Sequence, residues 1–208
     1  MLNNSDVWVS GARDSDRAMV SVALVEPGKP GSFHNPLFLH EDVTPMLHEV
    51  FLKWMYYDLT EKQKANLPDF FFGAGSLPVI SERYYDLLRD FDLGPTRFYE
   101  VPLYEYDQKT KRRDRLYLLQ LNASKEALVP EECEGFRPAP GGGLRSIPSN
   151  FTGGIPALLP AARKGVDLWF DPGLDSRWFY SERLYSAIKK ERIRCKHWAF
   201  QKCKIIDN

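Results

Sequence analysis

An α+β fold, with a mixed or mainly antiparallel sheet and a few helices, is the architecture this sequence predicts. Three observations lead to it. Short runs of branched and aromatic residues, such as Val7-Trp8-Val9, punctuate the chain and suit a half-buried pleated surface. Segments with helical spacing and start signals fall among them in mixed order, not in a regular strand–helix alternation. One strand–helix corner is also written twice, 100 residues apart.

The 208 residues suffice for one large domain or two small ones, and a composition 43% hydrophobic and 13% aromatic supplies a substantial core. A single domain over 1–208 is expected. It is divisible at most into an N-terminal subdomain over 1–66 and an internal half-repeat around 69–104 and 167–204. The 28 basic and 28 acidic residues cancel, so bulk charge favours neither nucleic acid nor an acidic mimic of it. The opening Met-Leu-Asn-Asn-Ser-Asp lacks the basic and apolar regions of a secretion signal. No window approaches the roughly 20 apolar residues of a membrane span. Three cysteines, Cys133, Cys195 and Cys203, form an odd set with no close pair. The expectation is a cytoplasmic protein with reduced thiols and no membrane partner.

In chain order, strands are expected at Val7-Trp8-Val9 and 19–25, followed by a turn-rich loop at 26–32. Thr44 as N-cap and Pro45 at the first helical position open a helix whose apolar face is Leu47, Val50, Phe51 and Trp54. It ends near Tyr57 or Asp58. A second unit begins with Phe70-Phe71-Phe72-Gly73, passes through Leu77-Pro78-Val79-Ile80 and enters a helix over 82–91, stopped by Gly94-Pro95. Strands over 97–106 and 115–122 follow, joined by the charged connection 107–114 as a hairpin with a long, mobile tip. Pro102 makes the first of them an edge strand or a bulged one. Residues 130–160, rich in Gly, Pro and small side chains, form either a long ordered loop or a boundary between halves. A strand over 166–170, a helix over 182–190 and one or two strands within 193–206 close the chain.

The echo is the most informative local feature. At a shift of 100, Phe70, Gly73, Ser76, Ser81, Glu82, Arg83 and Tyr85 meet Phe170, Gly173, Ser176, Ser181, Glu182, Arg183 and Tyr185. Those seven identities fall in sixteen positions, where composition alone gives about one. Phe98 meets Trp198 at the same shift. Each Ser-Glu-Arg reads as a helix start: the serine caps a free N–H, the glutamate meets the positive end of the helix dipole, and Ile80 with Tyr85, or Tyr180 with Tyr185, forms a hydrophobic staple. The arginine pairs locally or covers apolar surface with its stem.

Candidate chemistry is thin. Ser81 and Ser181 sit at strand-to-helix turns but lack the Gly-x-Ser-x-Gly of a nucleophile elbow, so capping outweighs catalysis. His34, His40 and His48 beside Glu41 and Asp42 match no metal-ligand spacing. Cys195 and Cys203 read as small buried hydrophobes. Gly141-Gly142-Gly143-Leu144-Arg145-Ser146 lacks the ending of a phosphate-binding loop and reads as a flexible loop. No catalytic, cofactor-binding or metal-binding residue, and no cofactor, is assigned. Charge is uneven: from Arg183 to Lys204 eight basic residues face one acid, Glu191, with Tyr185, Trp198 and Phe200 interleaved. That stretch supports an alternative reading as a nucleic-acid-binding protein. Glu126, Glu131, Glu132 and Glu134 compensate elsewhere.

Taken together, Leu77-Pro78-Val79-Ile80-Ser81-Glu82-Arg83, the helix, Phe98-Tyr99-Glu100-Val101-Pro102-Leu103, and Tyr117-Leu118-Leu119-Gln120-Leu121-Asn122 resemble a family of immunity proteins that accompany polymorphic secreted toxins of bacteria. Asp167-Leu168-Trp169-Phe170 and Tyr180-Ser181-Glu182-Arg183-Leu184 stand where the family has a late aspartate-led strand and a second Ser-Glu-Arg helix. The resemblance covers about residue 69 to the C-terminus. It implies a cytoplasmic, non-enzymatic antidote whose partner is a cognate toxin, often a nuclease. Nucleic acid is then not the expected partner, and no catalytic residue carries over. Contacts to the toxin are expected from loops: 107–114, 130–160, or the acidic 126–134 stretch.

Overall fold

The same local grammar opens both helices of the structure, a computed structural model that describes residues 6–10, 22–24, 55–57, 67–72, 78–104, 110–146, 154–174, 177–195 and 199–206. An apolar strand ends in a serine, and that serine caps the helix that follows. Strand β5 (Pro78–Ser81) runs into α1 (Glu82–Leu88), with the Ser81 hydroxyl accepting from the Tyr84 N–H at 3.2 Å. Strand β13 (Trp178–Ser181) runs into α2 (Glu182–Lys190), with Ser181 accepting from Leu184 at 3.2 Å. The expected 182–190 helix is met residue for residue. The first is shorter than the expected 82–91, because residues 89 and 90 continue only as a turn and 91 as a bend.

Each corner belongs to a four-stranded antiparallel sheet, and the chain adopts the expected α+β fold with mainly antiparallel pairing. The first sheet has the order β4 (Phe70–Phe72), β5, β8 (Leu116–Gln120), β6 (Arg97–Val101). The second has β12 (Leu168–Trp169), β13, β1 (Val7–Ser10), β14 (Phe200–Lys202). The orders correspond strand for strand, with one difference in connectivity. The third strand of the first sheet is local, whereas that of the second is β1, from the segment expected as an N-terminal subdomain. β1 pairs with β13 through Trp8↔Tyr180 and with β14 through Trp8↔Lys202.

Pro102 acts as read from the sequence. β6 is an edge strand, the strand breaks at the proline, and β7 (Leu103–Tyr104) leaves for another sheet. There it pairs in parallel with β3 (Met55–Tyr57), which also pairs with β2 (Val22–Leu24). Met55–Tyr57 corrects the helix expected over 44–58: its last residues are a strand, fixed by long-range pairing to β2 and β7 that local periodicity does not encode. The rest of that helix, most of the 19–25 strand, the loop at 26–32 and residues 105–109 of the hairpin tip lie outside the described residues.

Both helices pack into one shared core. Phe70, Phe72, Ile80, Tyr84, Leu88, Tyr117 and Leu119 of the first unit meet Leu168, Tyr180, Leu184 and Ile188 of the second. Each fully buried side chain of this size contributes about 1.5–3 kcal/mol. The reverse face of the second sheet presents Val7, Val9, Trp169 and Phe179 to Ala123, Ala127, Leu158, Ala162 and Leu174.

The described residues of the segment 130–160, 130–146 and 154–160, are ordered into the fold. They carry a 3-10 turn (Pro130–Glu132), the hairpin β9 (Phe136–Pro138) and β10 (Leu144–Ser146), and β11 (Ala157–Leu158), which pairs in parallel with β15 (Lys204–Ile205). The glycine triplet expected as a flexible loop is the tight turn of that hairpin. Gly142 and Gly143 have φ of 92° and 70°, and a Cβ on Gly143 would meet the Gly173 carbonyl oxygen at 2.8 Å.

Candidate functional site

The two Ser-Glu-Arg motifs build two matching polar corners, each centred on an aspartate that sequence reasoning left without a role. Asp69 and Asp167 are 3% and 2% exposed. Ser81 Oγ donates to Asp69 Oδ1 at 2.9 Å, and Ser181 Oγ to Asp167 Oδ1 at 2.6 Å. Each serine therefore uses its proton on the carboxylate and a lone pair on the helix N–H. The serine amides complete the match, both bonding the aspartate carbonyl at 2.9 Å.

Each aspartate then reaches across to the other unit. Asp69 Oδ2 accepts from the Arg194 N–H at 2.7 Å, and the Asp69 N–H donates to the Arg194 carbonyl at 2.6 Å. Asp167 Oδ2 accepts from the Asp92 N–H at 2.9 Å, and the Asp167 N–H donates to the Asp92 carbonyl at 2.6 Å. Arg194 follows α2 and Asp92 follows α1. Each carboxylate thus ties the strand before one helix to the chain leaving the other. These are charge-assisted bonds in a largely dry setting, the stronger kind.

The arginines differ. Arg183 forms a two-pronged pair with Asp167, Nε to Oδ1 at 2.6 Å and Nη2 to Oδ2, and its guanidinium lies 5.3 Å from the Phe91 ring centre. Burial alone would raise the Asp167 carboxyl, but bonds from Arg183, Ser181 and the Asp92 amide outweigh it and hold the group below its ordinary value. Arg83 gives its Nη2 to the Glu191 carbonyl and stands 3.8 Å from Asp69, where Arg194 Nε also approaches to 3.6 Å.

Ring packing repeats with the corners. Tyr85 stacks on Tyr117 at 4.0 Å and meets Phe98 edge-on at 5.1 Å. Tyr185 stacks on Trp8 at 3.8 Å and meets Phe200 edge-on at 5.1 Å. Structural equivalence therefore corrects the sequence echo. Phe98 corresponds to Phe200, not Trp198, and Phe70 corresponds to Leu168, not Phe170, because Phe70 pairs with Ile80 and Leu168 with Tyr180. The true offset is 98 residues before the hairpin, 100 through the corner and 102 after the helix. A fixed shift hides the aspartates, which align as Asp69-Phe-Phe and Asp167-Leu-Trp once a two-residue gap is allowed.

A third polar group escaped the sequence reading. Lys125 Nζ donates to the carbonyls of Ala162, Lys164 and Val166 at 3.2, 2.7 and 3.0 Å and lies 3.6 Å from the Trp169 ring centre. Burial pushes its pKa down to about 8, against the pull of Asp167 and Asp92. Buried Asp171 ties the same region, accepting from the amides of Ala127, Leu128 and Gly173.

The remaining sequence candidates are placed as follows. Cys195 is half-buried and Cys203 buried, and burial pushes both thiols up, as expected of small hydrophobes. His34, His40, His48, Glu41 and Asp42 lie outside the described residues. Among the described residues no group of three or more His, Cys, Asp or Glu could hold a metal ion, and no helix is long and apolar enough to cross a membrane. Of the aromatics interleaved in the basic stretch, Tyr185 is engaged with Trp8 and Phe200 with Tyr180, and Trp198 lies outside the described residues. Neither a known protein family nor a curated protein matches this sequence.

Proposed function

We propose that this chain is an immunity protein, a cytoplasmic, non-enzymatic binder that neutralises a cognate secreted bacterial toxin. What supports the reading is the use made of its polar residues. The motifs that carry the family resemblance, Ser81-Glu82-Arg83 and Ser181-Glu182-Arg183, cap helices and clamp buried aspartates, so their role is to hold a rigid scaffold together. A rigid scaffold is what an inhibitor needs, since binding energy concentrates in a few well-held side chains. The test is co-expression with the C-terminal domain of any secreted toxin that proves to be encoded beside this gene. Growth is restored and a stable complex elutes on size exclusion. If growth stays arrested and no complex forms, the proposal is wrong.

The nucleic-acid alternative rests on Arg192, Arg194 and Lys196, of which Arg192 and Arg194 are exposed and Lys196 lies outside the described residues. It predicts an affinity that falls steeply with salt. It is weakened by the internal ring packing of Tyr185 and Phe200, because single-strand binding draws on free aromatic platforms.

A further inference from the structure

The two units agree in backbone and oppose each other in charge. Asp92 and Arg194 do the same backbone work, each offering its N–H and carbonyl to the opposite aspartate, yet their side chains differ in sign. The same offset sets Asp90 against Arg192. On the outer strands, Glu100 pairs with Arg115 at 2.9 Å, while the equivalent Lys202 pairs with Asp6 at 2.5 Å, polarity reversed. In this exchange the fold uses only main-chain atoms of residues 92 and 194; their side chains serve local contacts, Asp92 Oδ1 accepting from the Gly94 N–H at 3.0 Å and Arg194 Nη2 donating to the Leu67 carbonyl at 3.0 Å.

The consequence is a polar molecule. Beyond α1, the Arg183 guanidinium is paired with Asp167, and the exposed acids Asp90 and Asp92 outnumber the exposed Arg89, the counterpart of Glu191. Beyond α2, Arg83, Lys190, Arg192 and Arg194 are exposed cations, facing Glu191 and the single buried carboxylate of Asp69. Arg192 is the telling residue. The Ile193 N–H bonds the Ile188 carbonyl and the Arg192 N–H the Lys189 carbonyl, which is the left-handed ending that favours Gly at its turning position. Here that position, at φ 51°, is held by arginine. Local folding gains nothing from that choice.

We infer that this basic end, formed by Arg83, Lys190, Arg192 and Arg194, is the surface that docks the partner, and that it fits a carboxylate-rich protein surface. The inference rests on the immunity reading and names the surface for it. Guanidinium groups match carboxylates in a two-pronged geometry and steer association through local charge. Glu191 within the patch, which breaks the run of cations, suits a mosaic protein surface better than a continuous polyanion.

The experiment is titration of a catalytically inactive form of the toxin domain used in the co-expression test against wild type, Arg192→Gly and Arg194→Asp, with Asp90→Arg at the opposite end as control. Arg192→Gly relieves the left-handed strain and melts at or above wild type, yet its affinity falls about tenfold or more, as does that of Arg194→Asp. Asp90→Arg binds like wild type. Should wild type bind and both arginine variants bind equally well, the docking surface lies elsewhere and the immunity reading stands. Should wild type neither bind nor protect, both fall together. A short DNA duplex bound by wild type and lost by both arginine variants would overturn the inference in favour of nucleic acid.

Discussion

Asp167 accepts hydrogen bonds from Arg183, Ser181 and the Asp92 amide while almost wholly out of water. Asp167→Asn keeps the shape and removes the charge, so it should cost about 2 kcal/mol in urea unfolding. A loss under about 0.5 kcal/mol would refute the clamp. The pH dependence has a definite sign. The folded carboxyl is held below its unfolded value of about 3.9. The stability it contributes is therefore complete above that value and is lost as pH falls through the folded one. Asp167→Asn should show a flatter stability profile below about pH 4.

Lys125 gives the opposite signature. Its folded value, pushed down by burial to about 8, lies under the unfolded value of about 10.4. Between the two the unfolded chain binds the proton more strongly, so this group's contribution to stability rises with pH across that window. Carbon NMR of the lysine ε positions should find one lysine titrating near 8. A set in which every lysine titrates at the ordinary value refutes the assignment.

At the scale of elements, the serines decide where both helices begin. Ser81→Ala and Ser181→Ala should each cost about 1–2 kcal/mol, since each removes a helix cap and also strands an aspartate oxygen. Chemical denaturation measures both, and a neutral pair of variants would mean that the caps are replaceable by water. The β9–β10 turn offers a sharper comparison. Gly142 and Gly143 both have positive φ, but only a Cβ at Gly143 meets backbone, so Gly143→Ala should destabilise by about 1 kcal/mol more than Gly142→Ala. Equal losses would show that strain at φ, and not contact with Gly173, governs the turn.

Across the whole molecule, the two units share a core, exchange aspartate bonds and borrow β1 to complete the second sheet. Such interlocking should abolish independent unfolding of the halves. Tryptophan fluorescence, to which Trp8, Trp169 and Trp178 of the second unit contribute three of the five tryptophans, should trace the same urea transition as far-ultraviolet circular dichroism. Two separated transitions would contradict the arrangement. Removal of residues 1–10 should unfold the chain outright, because β13 and β14 would each lose their only shared neighbour.

Local signals are legible wherever the physics is local. Ser81 and Ser181 announce their caps, Pro102 announces its edge strand, and Val7-Trp8-Val9 announces a strand. The partner of that strand is not legible, because pairing β1 with β13 closes a loop of some 170 residues and leaves no mark on local spacing. Met55–Tyr57 departs from its helical spacing for the same reason: its neighbours in space fix it as a strand. The aspartates are hidden by a two-residue shift in register between strand and corner, which breaks a fixed-period comparison. By itself, then, the sequence determined an α+β scaffold with two serine-capped strand–helix corners. Only the tertiary structure decided that these corners clamp one another, that the N-terminal strand completes the second, and that the two ends carry opposite charge. Those three facts depend on which distant groups meet, and a one-dimensional pattern does not record such meetings.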